Sequence, residues 1–397
     1  MSHSAWVVET HAMISFRHLL LCLLALLPAS AWAQTWLDSD RFTFSGFGTV
    51  GLIHSNLEEA DFVRDISQPK GAGKGLSART DSLLGAQLGV RLEDNLDAVV
   101  QGVSRYHDSG NFSPELSWAF ASWSPDPGVQ LRAGRLGWDV YLLSDSRYVG
   151  YAYPWVRPPV DHFGVLQLTH IDGADFTFKR SLGDGLAWFK LFTGRSDSHL
   201  YLMDDLEVEI KVNQLYGGHL NYETGPWHFR LGYTTFDADV DFSGAYPAML
   251  RRIYGVDANA LIGDMFGFNH VEVYSVGATY DQGPIELQGI WNRNKLTGEG
   301  GYIDSGFIST GYRLGKAMPF VMFSRVDTYS PDDEVGTNFT QQTWSAGLRY
   351  DVATNLALKS QIDRIHILDP GPLWRDIDAD WNGGWATMVS LGLDFVF

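Results

Sequence analysis

The last nine residues, 389–397, read VSLGLDFVF and alternate between two kinds of side chain. One series is apolar and the other is mostly small or polar: Val389, Leu391, Leu393, Phe395 and Phe397 against Ser390, Gly392, Asp394 and Val396. Because successive side chains of a β-strand point to opposite faces, this period of two predicts a strand with one apolar face.

The same period recurs along the chain. In residues 80–93 the even positions from Leu84 to Leu92 are apolar, whereas Gly, Gln, Arg and Glu occupy the odd positions. Residues 344–351 alternate in the same way. Soluble β-propellers and sandwiches bury both faces of most strands, so a face rich in Gly, Ser, Gln, Lys and Arg favours a barrel in a membrane over either of them.

Short and long connections alternate between the predicted strands. The short ones lie near 93–95, 125–128, 183–185, 223–226, 281–284, 315–318 and 351–355, and the long ones near 55–79, 107–114, 137–169, 194–207, 238–270, 296–303, 329–340 and 367–384. Short turns on one side and long loops on the other are typical of transmembrane barrels, whose closure satisfies every backbone group in lipid. The sequence therefore predicts an all-β, 16-stranded antiparallel transmembrane barrel.

The N-terminus has the features of an export signal. Arg17 and His18 precede an apolar run, Leu19–Leu27, and Ala31-Trp32-Ala33 supplies a small-x-small cleavage pattern. The run is too short to span a bilayer, which needs about 20 residues. We expect residues 1–33 to be removed and residues 34–397 to form one barrel domain. The only cysteine, Cys22, leaves with the signal, so the mature chain has no thiol.

Charge and motifs exclude several function classes. The net charge is −18, which argues against a nucleic-acid partner. The sequence contains no HExxH, GxSxG, P-loop or strand-linked GxGxxG pattern. Residues 239–250 begin like a calcium loop, but Leu250 stands where that motif requires Glu. We therefore expect no enzymatic activity, no catalytic residue, no cofactor and no metal site.

Four features make the chain resemble the 16-stranded general porins of Gram-negative bacteria. They are Phe44–Gly48 in the first strand, the hairpin formed by 344–351 and 355–361, the terminal Phe397, and the long segment after the fifth strand. The resemblance covers residues 41–397. It implies an outer-membrane channel for passive diffusion of small hydrophilic solutes and ions, a homotrimer, and assembly by the outer-membrane insertion machinery.

Residues 137–169 are the predicted constriction. A barrel of 16 strands is too wide for its side chains to fill, so water enters it. This segment is rich in aromatic residues and proline, which need a surface to pack on, and we expect it to fold inward. The candidate constriction residues are Asp139, Asp145, Arg147, Tyr148, Arg157 and Asp161. The alternatives are that it caps the barrel or packs on a neighbouring subunit, and residues 238–269 are a rival plug.

Basic residues on the polar strand faces are the predicted pore wall. Strand parity assigns to it Arg105, Arg132, Lys190, Arg230, Arg325, Arg349, Lys359 and Arg364. A cationic wall opposite acidic loop residues would create a transverse field that sets charge preference. Each of these side chains could instead extend toward the membrane interface.

Acidic loops suggest a lipid partner. Carboxylates cluster at 58–61, 204–207, 332–334 and 376–380, and oxygen ligands of this kind suit Ca²⁺ or Mg²⁺ shared with lipopolysaccharide phosphates. A simply solvated loop face is the other interpretation.

Two further functions stay open at this point. One is a substrate-specific channel with a saturable site formed by residues 137–169 and the basic wall. The other is a plugged structural or adhesive barrel that does not conduct. The sequence does not distinguish these readings.

Overall fold

A computed structural model describes residues 41–166, 168–203, 206–243, 248, 252, 270–297, 301–329 and 338–397. The predicted export signal, most of the rival plug, and the acidic residues 204–205 and 332–334 lie outside this part of the chain. No helix among the described residues is both long enough and apolar enough to cross a bilayer.

Within the described residues, 16 strands form a closed antiparallel barrel, which confirms the predicted fold. Two short strands, β2 and β17, pair with each other outside it. In chain order the strands are β1 Phe42–Ser55, β2 Asp61–Phe62, β3 Leu83–Glu93, β4 Leu96–Arg105, β5 Pro114–Trp123, β6 Val129–Gly137, β7 His170–Leu182, β8 Gly185–Met203, β9 Leu206–Thr224, β10 Trp227–Ser243, β11 His270–Gln282, β12 Ile285–Thr297, β13 Gly301–Tyr312, β14 Ala317–Tyr329, β15 Thr340–Ala353, β16 Leu356–Asp369, β17 Trp374–Arg375 and β18 Gly384–Val396.

The first and last strands close the barrel. β1 pairs with β18 from Phe47 opposite Val396 to Ser55 opposite Met388, and its other edge pairs with β3. Each barrel strand thus has a neighbour on both sides, which is the arrangement that a lipid environment demands of a β-structure.

The two faces of the wall differ as the period of two predicts. In β16, Lys359 and Asp363 are buried, whereas Leu358 and Ile362 are exposed. In β18, Ser390 is buried and Leu391 is exposed. The exposed apolar face suits lipid, and the buried polar face points into the barrel.

Glycines make the tight turns possible. Gly183, between β7 and β8, has φ of 58°, and Gly283, between β11 and β12, has φ of 59°. These left-handed conformations place a steric cost on any residue with a Cβ. The predicted short turns at 183–185 and 281–284 lie at these two positions.

The interior is filled by residues 137–169, which connect β6 to β7 and are called here the inner segment. It contains a 3₁₀ turn, Gly150–Ala152, and one short helix, α1, Val160–Phe163. Its aromatic and aliphatic side chains join one core cluster with inward-facing residues of β8 to β16. Because the lumen is too wide to be filled by the wall alone, this segment provides the packing partner for those strands.

Candidate functional site: the inner segment and its cavities

Asp139 attaches the start of the inner segment to the wall. Its Oδ1 accepts a hydrogen bond from Arg230 Nη1 at 2.6 Å, and its Oδ2 accepts one from Lys190 Nζ at 2.5 Å. His219 Nε2 lies 3.1 Å from the same Oδ2. Burial alone would raise the pKa of Asp139, but the neighbouring Arg230 and Lys190 hold that pKa well below its usual range. Asp139 is therefore the ionised centre of a buried cationic cluster.

Arg157 provides a second attachment of the inner segment, further along the chain. The guanidinium is 2% exposed and forms two bonds of 2.9 Å to the carboxylate of Asp81. A third bond of 2.6 Å reaches Asp363 on β16. Two carboxylates around one buried guanidinium give the compensation that a buried charge requires.

The two attachment points lie on opposite sides of the barrel. Lys190 belongs to β8 and Asp363 to β16, and these strands are eight positions apart in a ring of 16. The inner segment therefore crosses the lumen from one wall to the other.

Basic wall residues also bind the backbone of the inner segment. Lys359 Nζ donates to the carbonyl oxygens of Gly150 at 2.7 Å and Trp155 at 2.8 Å. Arg349 Nη1 donates to those of Tyr151 at 2.5 Å and Tyr153 at 3.0 Å. These contacts satisfy carbonyl groups that irregular backbone leaves unpaired.

Trp155 supplies the main apolar contact with the far wall. Its ring stacks on Tyr153 with centroids 4.9 Å apart and meets Phe307 of β13 edge-on at 5.5 Å. Its Nε1 donates to Ser309 Oγ at 3.0 Å. The indole is thus both packed and hydrogen-bonded, as a buried tryptophan should be.

Helix α1 buries Asp161 and His162. The oxygens of Asp161 accept bonds from Ser324 Oγ at 2.7 Å and Gln341 Nε2 at 2.6 Å. Burial raises the pKa of Asp161 above its ordinary value. Burial also lowers the pKa of His162 to about 3, so its ring is neutral at physiological pH.

The tip of the inner segment borders a cavity of about 310 Å³, here called the upper cavity. Asp145, Arg147 and Tyr148 line it from the segment, and Arg105 lines it from β4. Arg147 Nη2 donates to Tyr148 Oη at 3.1 Å, and the Arg105 guanidinium lies 5.3 Å from the centre of the Tyr148 ring. The predicted constriction residues Asp145 and Arg147 both line this cavity but are not joined by a salt bridge within the described structure.

A second cavity of about 320 Å³ lies nearer the short turns. Gln87, Gln130 and Arg132 are among its lining residues. Gln101, which lines the upper cavity, donates a hydrogen bond of 3.0 Å to Gln87. The two cavities are therefore adjacent along β3 to β6, the side of the barrel that the core cluster of the inner segment leaves open.

The predicted wall residues fall into three groups. Arg105 and Arg132 line the cavities, where Arg132 pairs with Asp175 and Arg105 with Asp65 and Glu115. Lys190 and Arg230 hold Asp139, and Arg349 and Lys359 hold backbone carbonyls. Lys190, Arg230, Arg349 and Lys359 thus bond directly to the inner segment. The sequence had predicted that such residues stand opposite the segment across a water-filled gap.

Arg325 and Arg364 differ from the expectation, because both lie on the outward face. Arg325 alternates with buried Ser324 and pairs with Asp327, and Arg364 lies over the exposed ring of Trp385 at 4.8 Å. Arg325 was misassigned because β14 is apolar on both faces at this height, where the inward face packs on the inner segment. Arg364 lies five residues after Lys359 on β16, so the period of two puts these two side chains on opposite faces, and assigning both to the pore wall was wrong. The inward neighbours are Met322, Val326, Ile365 and Ile367.

Two attachment residues were missed in the sequence. Asp363 sits at an inward position of β16 among apolar neighbours, so its parity could have identified it. Asp81 lies in a long connection just before β3, and no periodic pattern distinguishes it from a solvated loop residue.

Comparison with known proteins agrees with this architecture. A sequence profile described as Gram-negative porin matches residues 20–367, whereas no curated protein matches the chain. Three solved structures are similar in fold. OmpF of Salmonella typhi in complex with daunomycin has a TM-score of 0.58 at 11% identity and covers 90% of this chain and 97% of its own. The anion-selective porin of Comamonas acidovorans has a TM-score of 0.54 at 14% identity and covers 90% of this chain and 99% of its own. OmpT of Vibrio cholerae has a TM-score of 0.54 at 10% identity and covers 91% of this chain and 99% of its own.

Proposed function

Since the chain belongs to the Gram-negative porin family, and so forms an outer-membrane channel for passive diffusion, we propose that its inner segment determines which solutes pass. The observation that carries this proposal is the attachment of the segment to opposite walls. Asp139 binds Lys190 of β8 and Arg230 of β10, and Arg157 binds Asp363 of β16. A segment held at two points on opposite walls reduces the free cross-section of the barrel.

The proposed solute path runs along β3 to β6 through the two cavities. Cations and carboxylates alternate on its surface, with Arg105 and Arg147 near Asp65 and Glu115 in the upper cavity. Such a lining favours small hydrophilic solutes and ions over apolar molecules, because charged groups in a narrow path keep their water and orient dipoles. Porins of this fold are typically not enzymes, and we propose no reaction for the buried Asp139, Asp161 or His162, whose bonds all hold the segment.

A liposome-swelling assay with neutral sugars of increasing size tests the proposal. We expect rapid swelling with small sugars and a sharp loss of rate as the sugar exceeds the free path beside the inner segment. Replacing residues 141–158 by a short Gly/Ser linker should move that size limit upward. An unchanged limit would show that the segment does not determine it.

A saturable site in the upper cavity is a second candidate function. The cavity combines the Tyr148 ring with two arginines and with carboxylates, which is a lining able to bind a small polar solute on an aromatic face. The test is flux against concentration, because simple diffusion gives a linear relation and a binding site gives saturation.

The assembly is also a proposal. We propose a homotrimer in the outer membrane, inserted by the outer-membrane assembly machinery after removal of residues 1–33. Its contact with lipopolysaccharide would use outward cations such as Arg364, which stacks on Trp385, and divalent ions at acidic loops. Light scattering of the detergent-solubilised protein gives the subunit number, and mass spectrometry gives the mature N-terminus.

A further inference from the structure

His170, the first residue of β7, has a buried ring nitrogen with no partner. The side chain is 9% exposed, and its Nδ1 lies 3.3 Å from Thr169 Oγ1. Its Nε2 is buried and makes no hydrogen bond to any described residue. When Nδ1 carries the proton and donates it to Thr169, the lone pair of Nε2 is available for another ligand.

Two carboxylates converge on that nitrogen. Asp172 Oδ2 lies 4.0 Å from His170 Nε2, and Asp197 Oδ1 of β8 lies 3.8 Å from it. The three ligand atoms all lie within 4.8 Å of one another. These separations are too long for hydrogen bonds, but they are close to those across a shared ion.

We propose that His170, Asp172 and Asp197 form a binding site for a first-row divalent metal ion, with Zn²⁺ as the best fit. Zn–N and Zn–O bonds of about 2.0–2.2 Å place tetrahedral ligands about 3.4 Å apart. The two carboxylate oxygens therefore need to approach His170 Nε2 by roughly half an ångström from 4.0 and 3.8 Å. An imidazole ligand favours Zn²⁺ over Ca²⁺ or Mg²⁺, which prefer oxygen. Three protein ligands leave the fourth position for water.

The surroundings of Asp172 are those of a supported ligand. Arg135 Nε donates to Asp172 Oδ1 at 2.8 Å, and its Nη2 donates to Oδ2 at 2.7 Å. Each carboxylate oxygen has a second lone pair, and outer hydrogen bonds commonly orient metal-binding carboxylates and imidazoles. The positive charges of Arg135 and Arg195 lower the affinity for a cation, and the negative charges of Asp172, Asp197 and Glu115 oppose them.

A second cluster of similar composition lacks the free nitrogen. In the cluster of His107, Asp108 and Glu115, the Nδ1 of His107 bonds to Asp108, and its Nε2 lies 2.9 Å from the carbonyl oxygen of Ser113. Both ring nitrogens are therefore engaged. His107 provides a matched control, since it is a histidine of equal burial beside acidic residues.

Metal binding would alter the channel itself, a consequence that rests on the proposed function. His170 and Asp197 line the upper cavity, so a bound Zn²⁺ adds two positive charges beside the solute path. Such a change makes the path less favourable to cations and more favourable to anions. Zn²⁺ should thus shift the reversal potential in a salt gradient toward anion preference.

The test titrates Zn²⁺ into the chelator-treated, detergent-folded full barrel by calorimetry, with Co²⁺ absorption as a second readout of coordination. The variants are His170→Gln, Asp197→Asn and the control His107→Gln, each checked for the folded, heat-modifiable form on a gel. We expect one site in the wild type and in His107→Gln. We expect a loss of affinity of at least about tenfold in the other two.

The proposed site would be contradicted if folded His170→Gln and Asp197→Asn bound Zn²⁺ as the wild type does, or if the wild type did not bind it. The calorimetric measurement separates this proposal from the channel function, because it does not require the protein to conduct. Saturable Zn²⁺ binding that depends on His170 supports the site even in a protein that fails to conduct, whereas that failure would count against the channel.

Discussion

At the scale of single residues, Arg105 and Arg364 show how the face of a strand determines the effect of a charge. Arg105 is buried on the inward face and lines the upper cavity, whereas Arg364 lies on the outward face against Trp385. Two arginines on strands of one barrel therefore have different surroundings, a cavity inside the barrel for Arg105 and the outer surface for Arg364.

Arg105→Gln should shift the reversal potential toward cation preference, because it removes a positive charge while Asp65 and Glu115 remain. Arg364→Gln serves as the control and should leave the reversal potential unchanged. Equal shifts in both variants, measured in planar bilayers with a salt gradient, would contradict the assigned faces.

Asp161 should give the protein a measurable pH dependence. Its raised pKa means that the folded chain retains a proton that the unfolded chain releases. The stability that the protonated carboxyl of Asp161 provides is present at low pH. It is lost as pH rises from the ordinary pKa of 3.8 through the raised pKa of the folded protein. Asp161→Asn lacks it, so wild type should lose stability relative to this variant over that window in urea unfolding. A constant difference across pH would show that Asp161 is not protonated in the fold.

Residue faces were predictable only in part. The inward face was predicted correctly for Arg105, Arg132, Lys190 and Arg230. It was wrong for Arg325, where packing on the inner segment makes the inward face apolar, and for Arg364, whose parity is opposite to that of Lys359 on the same strand. Side-chain polarity alone cannot identify the inward face of a strand that has lipid on one side and the packed inner segment on the other.

At the scale of elements, the inner segment depends on a few buried attachments. Its aromatic and proline content predicted that it packs on something, and the structure identifies the inward face of β8 to β16 as that surface. The attachment partners were not predictable, because they lie on strands distant in sequence. Arg157 and Asp363, for example, are separated by 206 positions.

Arg157→Met should release one end of the segment. Removing the guanidinium leaves the buried Asp81 and Asp363 without their shared cation, a change that costs about 3–5 kcal/mol at buried sites. We expect noisier single-channel currents and a lower urea midpoint. Arg313→Met is the control, because Arg313 also joins two acids but in an exposed position, and its loss should have a small effect. Equal destabilisation would argue against a special role for burial.

Trp155→Ala should loosen the same segment through packing. The indole is 1% exposed, and truncating a buried tryptophan costs about 3–5 kcal/mol. Trp344→Ala is the comparison, since Trp344 is 59% exposed on the outward face. Limited proteolysis of the folded proteins should cut the inner segment faster in Trp155→Ala alone. Equal cleavage of both variants would show that Trp155 does not hold the inner segment in place.

At the scale of the whole molecule, closure was the most predictable feature. The alternation in the last strand and the pattern of short and long connections were sufficient to predict 16 strands, and β1 pairs with β18 as closure requires. The long connection predicted at 194–207 was wrong for most of its length, because β8 extends to Met203 and β9 begins at Leu206. An apolar outward face that suits lipid recurs along the strands, so this pattern is insensitive to any single residue. The solute path is not encoded in this way, because it depends on which side of the barrel the inner segment leaves open.

The most direct test of the central claim is the single-channel conductance of the wild type beside that of the variant with residues 141–158 replaced by a Gly/Ser linker. We expect stepwise openings in both proteins, with larger steps in the variant, because the proposed constriction by the inner segment is removed. Correctly folded wild-type protein that never opens, or equal step sizes in the two proteins, would contradict that claim.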